Sequence, residues 1–214
     1  MISKLAPIYA TFWRSLVVLL TVEIAIVSAL RYFTGSQEGP APVLANAFAH
    51  PFLILHVIGG VTTLLLGPLQ FVSRIRARWP AFHRATGRLY VVACAIGASA
   101  GLMLALGTTA GPIAGVGFAI PAVLWPVFTW LGSRAAVERH FATHREWMLR
   151  SYAITATAIT LRLMLPAAGL MGLGFFPAYR VIAWLAWMTN LALFEYYIRR
   201  RRVSGRSFTT LAIA

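Results

Sequence analysis

The stretch PFLILHVIGGVTTLLLGPLQF, Pro51 to Phe71, decides the fold. It contains no Asp, Glu, Lys or Arg, and it is as long as the roughly 20 apolar residues that an α-helix needs to cross a hydrocarbon core about 30 Å thick. Similar runs recur on either side of it. The hydropathy pattern predicts six spans: Phe12 to Leu30, Pro51 to Phe71, Leu89 to Gly107, Ile113 to Leu131, Trp147 to Leu173 and Ala178 to Ile198. The fold expected is an all-α, polytopic six-transmembrane-helix bundle. The whole chain, residues 1–214, is read as one membrane domain. Composition agrees, because 59% of the 214 residues are hydrophobic and only 11% are charged. A soluble domain needs far more polar surface than that.

Orientation follows from the arginines. One side of the predicted bundle collects Lys4, Arg14, Arg74, Arg76, Arg78, Arg84, Arg88, Arg134, Arg139, Arg145, Arg150, Arg199 to Arg202 and Arg206, while the other holds Arg31 and Arg180. Basic residues beside spans stay in the cytoplasm, so both termini are expected there. Arg-over-Lys and Ala-rich usage suits a GC-rich bacterial genome, which makes the expected location a bacterial inner membrane.

The net charge of +14 is explained by this topology, because the basic residues sit in short runs next to spans. It does not mark a nucleic-acid surface. The expected contact is with anionic lipid head groups, worth about 1 kcal/mol per basic residue near the surface. The first span is read as an uncleaved helix, since no small-residue cleavage site precedes Arg31. The single cysteine, Cys94, excludes an intrachain disulfide and is read as a packed small side chain.

No extramembrane stretch is long enough for a separate catalytic domain. Asp is absent and acidic residues number five, so paired-carboxylate and Asp-triad hydrolases have almost no candidates. Chemistry must use polar groups inside or at the edge of the bundle, where they are costly and turn inward. Those groups are Glu23, His56, Arg162 and Asn190. At ~1.5 Å per residue, His56 and Arg162 each lie roughly 8 Å below the outer ends of their spans, so the two can share a layer. There they would grip a quinone carbonyl, a haem propionate or a small anion, with Glu23 as counter-ion to Arg162. The plainer reading has Arg162 snorkelling outward or bonding backbone carbonyls, and His56 as a neutral hydrogen-bond partner of a neighbouring helix.

Helical phase supports inward-facing stripes. His56, Gly60, Thr63, Gly67 and Gln70 align, as do His83, Gly87, Tyr90, Cys94, Gly97 and Gly101, and also His144, Ser151, Thr155 and Arg162. Glycines at such positions allow close helix approach, and each stripe also carries a histidine. His83 and His144 stand at the basic edge in HRATGRLY and HREWMLRSY. Two readings are open for them: capping with head-group contact, or axial ligation of a b-type haem with Arg84, Arg88, Arg145 or Arg150 on its propionates. A third option is a metal site, since His140 and His144 are four apart and His83 can complete the set.

HVIGGVTTLLLGPLQF from His56, HRATGRLYVV from His83 and HREWMLRSYAITATAITLRLMLP from His144 together resemble a family of predicted bacterial membrane proteins, domain of unknown function 2306. This likeness covers about residues 51–166, with the spans at 12–30 and 178–198 flanking it, and implies no activity. A more distant resemblance is to membrane diheme b-type cytochromes and ferric reductases, whose helices pair histidines across a bundle. That likeness implies haem b or quinone as cofactor and a membrane redox partner, with His83 and His144 the one complete pair. The expected activity is therefore membrane-embedded electron transfer. The rival expectation is a non-enzymatic carrier, sensor or assembly factor that binds an anion or a partner helix.

Overall fold

The computed structural model describes residues 19–27, 30 and 41–203. All regular structure among them is helical: α1 Ala41–Leu44, α2 Ala49–Gln70, α3 Ser73–Arg78, α4 Pro80–Leu106, α5 Pro112–Val137, α6 Phe141–Thr155, α7 Thr157–Leu170 and α8 Phe175–Val203. Five helical units are long and apolar enough to cross a membrane, namely α2, α4, α5, the α6–α7 unit and α8. The chain is an all-α polytopic membrane protein. Residues 19–27 are helical as well. The rest of the expected first span, and both termini, lie outside the described residues.

Bilayer chemistry explains why helices are the only elements here, since each backbone N–H and C=O must find its partner within its own segment. Proline opens α4 at Pro80 and α5 at Pro112, where a missing N–H costs nothing. The third helix starts at Pro80, well before the expected Leu89, so His83 lies inside its first turns. Leu55, Ile58, Val92, Ile96, Val123 and Leu185 are exposed on the outer faces, as lipid-facing residues must be.

The largest departure is in the fifth span, expected as one helix from Trp147 to Leu173. It breaks at Ala156 between α6 and α7. The run ITATAIT, Ile154 to Thr160, is dense in β-branched residues, which crowd the preceding turn. Thr155 also turns its hydroxyl back to the Ser151 carbonyl at 3.3 Å, a bond that bends helices.

Packing forms a ring in which α2 contacts α4, α4 contacts α5, α5 contacts α6, and α6 closes on α2. Helices α4 and α6 are thus one diagonal of the ring. Helix α8 lies outside, against α5, α6 and α7. The α2–α4 crossing is a backbone contact: a Cβ on Gly59 would sit 2.5 Å from the Ala93 carbonyl oxygen and 2.6 Å from the Gly97 Cα. Gly60, placed by phase on the buried stripe, has open space instead. The contact is one residue earlier than phase alone suggests. The apolar core is Tyr90, Cys94, Ala98, Trp125, Met148, Tyr152 and Ile154.

Candidate functional site

The polar interior begins with a row of hydroxyls across the α4–α6 diagonal. The Tyr90 hydroxyl bonds Ser151 Oγ at 2.9 Å and Thr155 Oγ1 at 3.0 Å. Ser151 Oγ meets Thr129 Oγ1 at 2.7 Å, and Thr129 meets Cys94 Sγ at 3.1 Å. All five side chains are buried. Buried hydroxyls must pair, and here three helices satisfy one another. Cys94 is a packed and bonded thiol within this row.

Above this row, toward the basic end, stand two histidines. His144, in the first turn of α6, donates from Nδ1 to the Gly132 carbonyl of α5 at 2.8 Å. A carbonyl only accepts, so Nδ1 carries the proton and Nε2 keeps its lone pair. His83, in the first turn of α4, is half-buried, and its Nδ1 is buried without a hydrogen-bond partner among the described residues. His83 lies within electrostatic reach of His144, Arg76 and Arg84. The two histidines stand on diagonal helices within that reach.

Among the arginines expected at this place, Arg84 and Arg88 are exposed. Arg150 is already engaged. It donates from Nε to Glu195 at 3.0 Å, its NH2 stands 2.8 Å from the same carboxylate, and its guanidinium lies 4.7 Å over Trp147. The buried Glu146 is held by Arg202 through both carboxylate oxygens, with Arg150 at 3.9 Å. These pairs tie α6 to α8. The expectation that Arg150 holds a propionate is corrected accordingly.

The three-histidine metal set is corrected too. Among the described residues no group of three or more His, Cys, Asp or Glu can hold a metal ion. His140 is exposed and faces Glu138 at 3.5 Å, away from a shared site with His83 and His144. Glu138 in turn accepts from Arg134 at 2.8 Å, and this bond holds its carboxyl below the usual carboxylate value.

At the opposite end, His56 Nδ1 donates to the Gly97 carbonyl at 2.8 Å, and its ring fills the space a Cβ on Gly101 would need. Gly97 and Gly101 thus seat a histidine as well as a helix. His56 lies within electrostatic reach of Arg162. Arg162, expected to be buried, is exposed and donates to the Ala158 carbonyl at 3.1 Å. Arg162 lies beyond Ala156 on α7, which packs chiefly against α8, outside the ring. Glu23 is exposed. Asn190 is buried and accepts from Thr160 at 2.9 Å.

Sequence reasoning missed Arg76. On α3, SRIRAR, residues Arg74 and Arg78 are one turn apart and exposed, whereas Arg76 is on the other side and half-buried. It is within electrostatic reach of His83, His144 and Arg145. The i, i+4 spacing of Arg74 and Arg78 was the available signal.

No curated protein and no solved structure matches the chain. A family model described as predicted membrane protein, DUF2306, matches residues 53–198. That region runs from α2 into α8 and includes His56, His83, His140 and His144, so this chain belongs to the DUF2306 family of predicted membrane proteins.

Proposed function

We propose that the chain is an electron-transfer protein of a bacterial inner membrane, its basic end facing the cytoplasm and binding one b-type haem between His83 and His144. The observation carrying this is that His83 and His144 stand on diagonal helices within electrostatic reach of each other, the latter with Nδ1 anchored on Gly132 and Nε2 left as a lone pair. A hydrogen bond from the other ring nitrogen to a carbonyl is how a ligating histidine is oriented. His83 adds a buried ring nitrogen without a partner, a group that costs free energy until something binds the imidazole. When bound, haem b supplies one-electron chemistry. The chain's own residues orient the imidazoles, and Arg84 offers positive charge beside His83.

A quinone is the partner proposed for the opposite end, where His56 lies within electrostatic reach of Arg162. This reading is the weaker one, because Arg162 is exposed and already bonds Ala158.

The absorption spectrum of freshly purified protein tests the haem reading. A Soret band present in the wild type and in His140→Ala, and lost in His83→Ala and His144→Ala with elution profile unchanged, is the expected result. A colourless, monodisperse wild type overturns it and leaves the non-enzymatic rival, a carrier, sensor or assembly factor.

A further inference from the structure

Helix α3 is short, but its middle arginine has a distinct environment. Arg74 and Arg78 are exposed, while Arg76 is half-buried and lies within electrostatic reach of three groups at once: His83 on α4, and His144 and Arg145 on α6. The described carboxylates at this end are all engaged elsewhere. Glu138 pairs with Arg134 and His140, Glu146 with Arg202 and Arg150, and Glu195 with Arg150 and Arg199. No acid therefore answers Arg76 among the described residues.

A half-buried guanidinium keeps its charge, and none of the ion pairs among the described residues neutralises Arg76. An anion placed there would supply the missing opposite charge. A planar fork of N–H donors suits a carboxylate or a phosphate, which it grips through two oxygens. The unbonded Nδ1 of His83 marks the same place as unfinished.

We propose that Arg76 binds an anionic oxygen group, carboxylate or phosphate, at the mouth of the His83–His144 site. In the haem reading, on which this form of the proposal rests, that group is a propionate. Arg76 is then a binding residue of the site, and α3 is the element that closes the site on the basic side.

The test uses the haem-bearing protein in nanodiscs, challenged with excess apomyoglobin. Arg76→Gln keeps the wild-type band positions, because both imidazoles remain, and releases haem about tenfold faster or more, the effect of losing one charge-assisted hydrogen bond. Arg78→Gln, from the same short helix, releases haem at the wild-type rate. Release from Arg76→Gln at the wild-type rate, or equal acceleration in both variants, overturns the proposal.

A wild type without haem brings down the haem reading alone, and the anion site is then read by native mass spectrometry of the same protein from phosphatidylglycerol nanodiscs. Wild type and Arg78→Gln retaining a bound phosphatidylglycerol or a phosphate adduct that Arg76→Gln loses sustains the site. The lipid mass distinguishes a head group from free phosphate. Equal retention by all three, or retention by none, overturns it.

Discussion

Trp187 Nε1 donates to the carbonyl oxygen of Gly117 over 3.0 Å, and Gly117 is the residue whose helical donor is missing because position 121 is proline. An indole from α8 thus satisfies an acceptor that α5 cannot satisfy itself, in a solvent that offers no water. The contact is close because Gly117 has no side chain: a Cβ there would lie 2.8 Å from Trp184 Nε1 and 3.0 Å from the Ala183 Cβ. Trp187→Phe should cost about 0.5 to 1.5 kcal/mol against unfolding in mixed micelles. In a Pro121→Ala background the cost should fall, because residue 121 regains its N–H. A double-mutant cycle measures this, and additive effects would separate the indole from the proline.

Gly132 serves two neighbours at once. Its carbonyl holds His144, and a Cβ on it would come within 2.7 Å of Met148 Sδ. Gly132→Ala is therefore expected to destabilise by about 1 to 3 kcal/mol, the usual cost of overpacking. Met148→Ala costs stability on its own as a buried core residue, but in that background Gly132→Ala should cost less than it does in the wild type. Thermal unfolding in detergent reads both, and a single variant as stable as the wild type would show that Met148 moves aside freely.

Ser151 is the hub of the hydroxyl row, touching both Tyr90 and Thr129. Ser151→Ala removes the bonds to Tyr90 and Thr129 but leaves Tyr90 with Thr155 and Thr129 with Cys94 and the Trp125 carbonyl; Tyr90→Phe removes its bonds to Ser151 and Thr155. Membrane hydrogen bonds average ~0.6 kcal/mol with a ceiling near 1.7. Each variant should therefore cost between about 0.6 and 1.7 kcal/mol, and the double variant less than the sum, because the two share one bond. Unfolding in detergent measures the cycle, and fully additive losses would mean that the Tyr90–Ser151 bond contributes nothing.

What the sequence made legible divides along physical lines. The spans from α2 onward and the inward stripes of Tyr90, Cys94, Ser151 and Thr155 follow from apolar length and a 3.6-residue period, and these residues are buried as that period requires. For Arg162 the sequence leaves two readings open, and the structure has the outward one, with the Ala158 carbonyl as partner: helical phase alone could not tell that α7 packs chiefly on α8, outside the ring. Phase also put Gly60 where Gly59 makes the contact, since the crossing point is set by two helices and a single-helix pattern sees one. Arg150 was expected on a propionate because its acids, Glu195 and Glu146, stand 45 residues away in one case and four in the other, and sequence shows only the nearer. The placing of His83 and His144 on diagonal helices depends on ring closure among α2, α4, α5 and α6, which no local pattern encodes.

The carboxylates at the basic end should differ in importance, and their settings say how. Glu138 is exposed, with its carboxyl held below the ordinary value by the hydrogen bond from Arg134. A depressed folded value means the contribution is complete above the unfolded value of 4.5 and fades as pH falls through the folded one. Because the pair is exposed and screened, Glu138→Gln should leave the unfolding midpoint unchanged at pH 7. Glu146 is buried and held by Arg202 and Arg150, which join α6 to α8. Glu146→Gln keeps the shape, removes the charge and leaves Arg150 with Glu195 alone, so a loss of about 1 to 3 kcal/mol is expected at pH 7. Unfolding midpoints of the two variants, taken side by side in one detergent, decide this: if Glu138→Gln is the more damaging, the α6–α8 tie is not what these ion pairs supply.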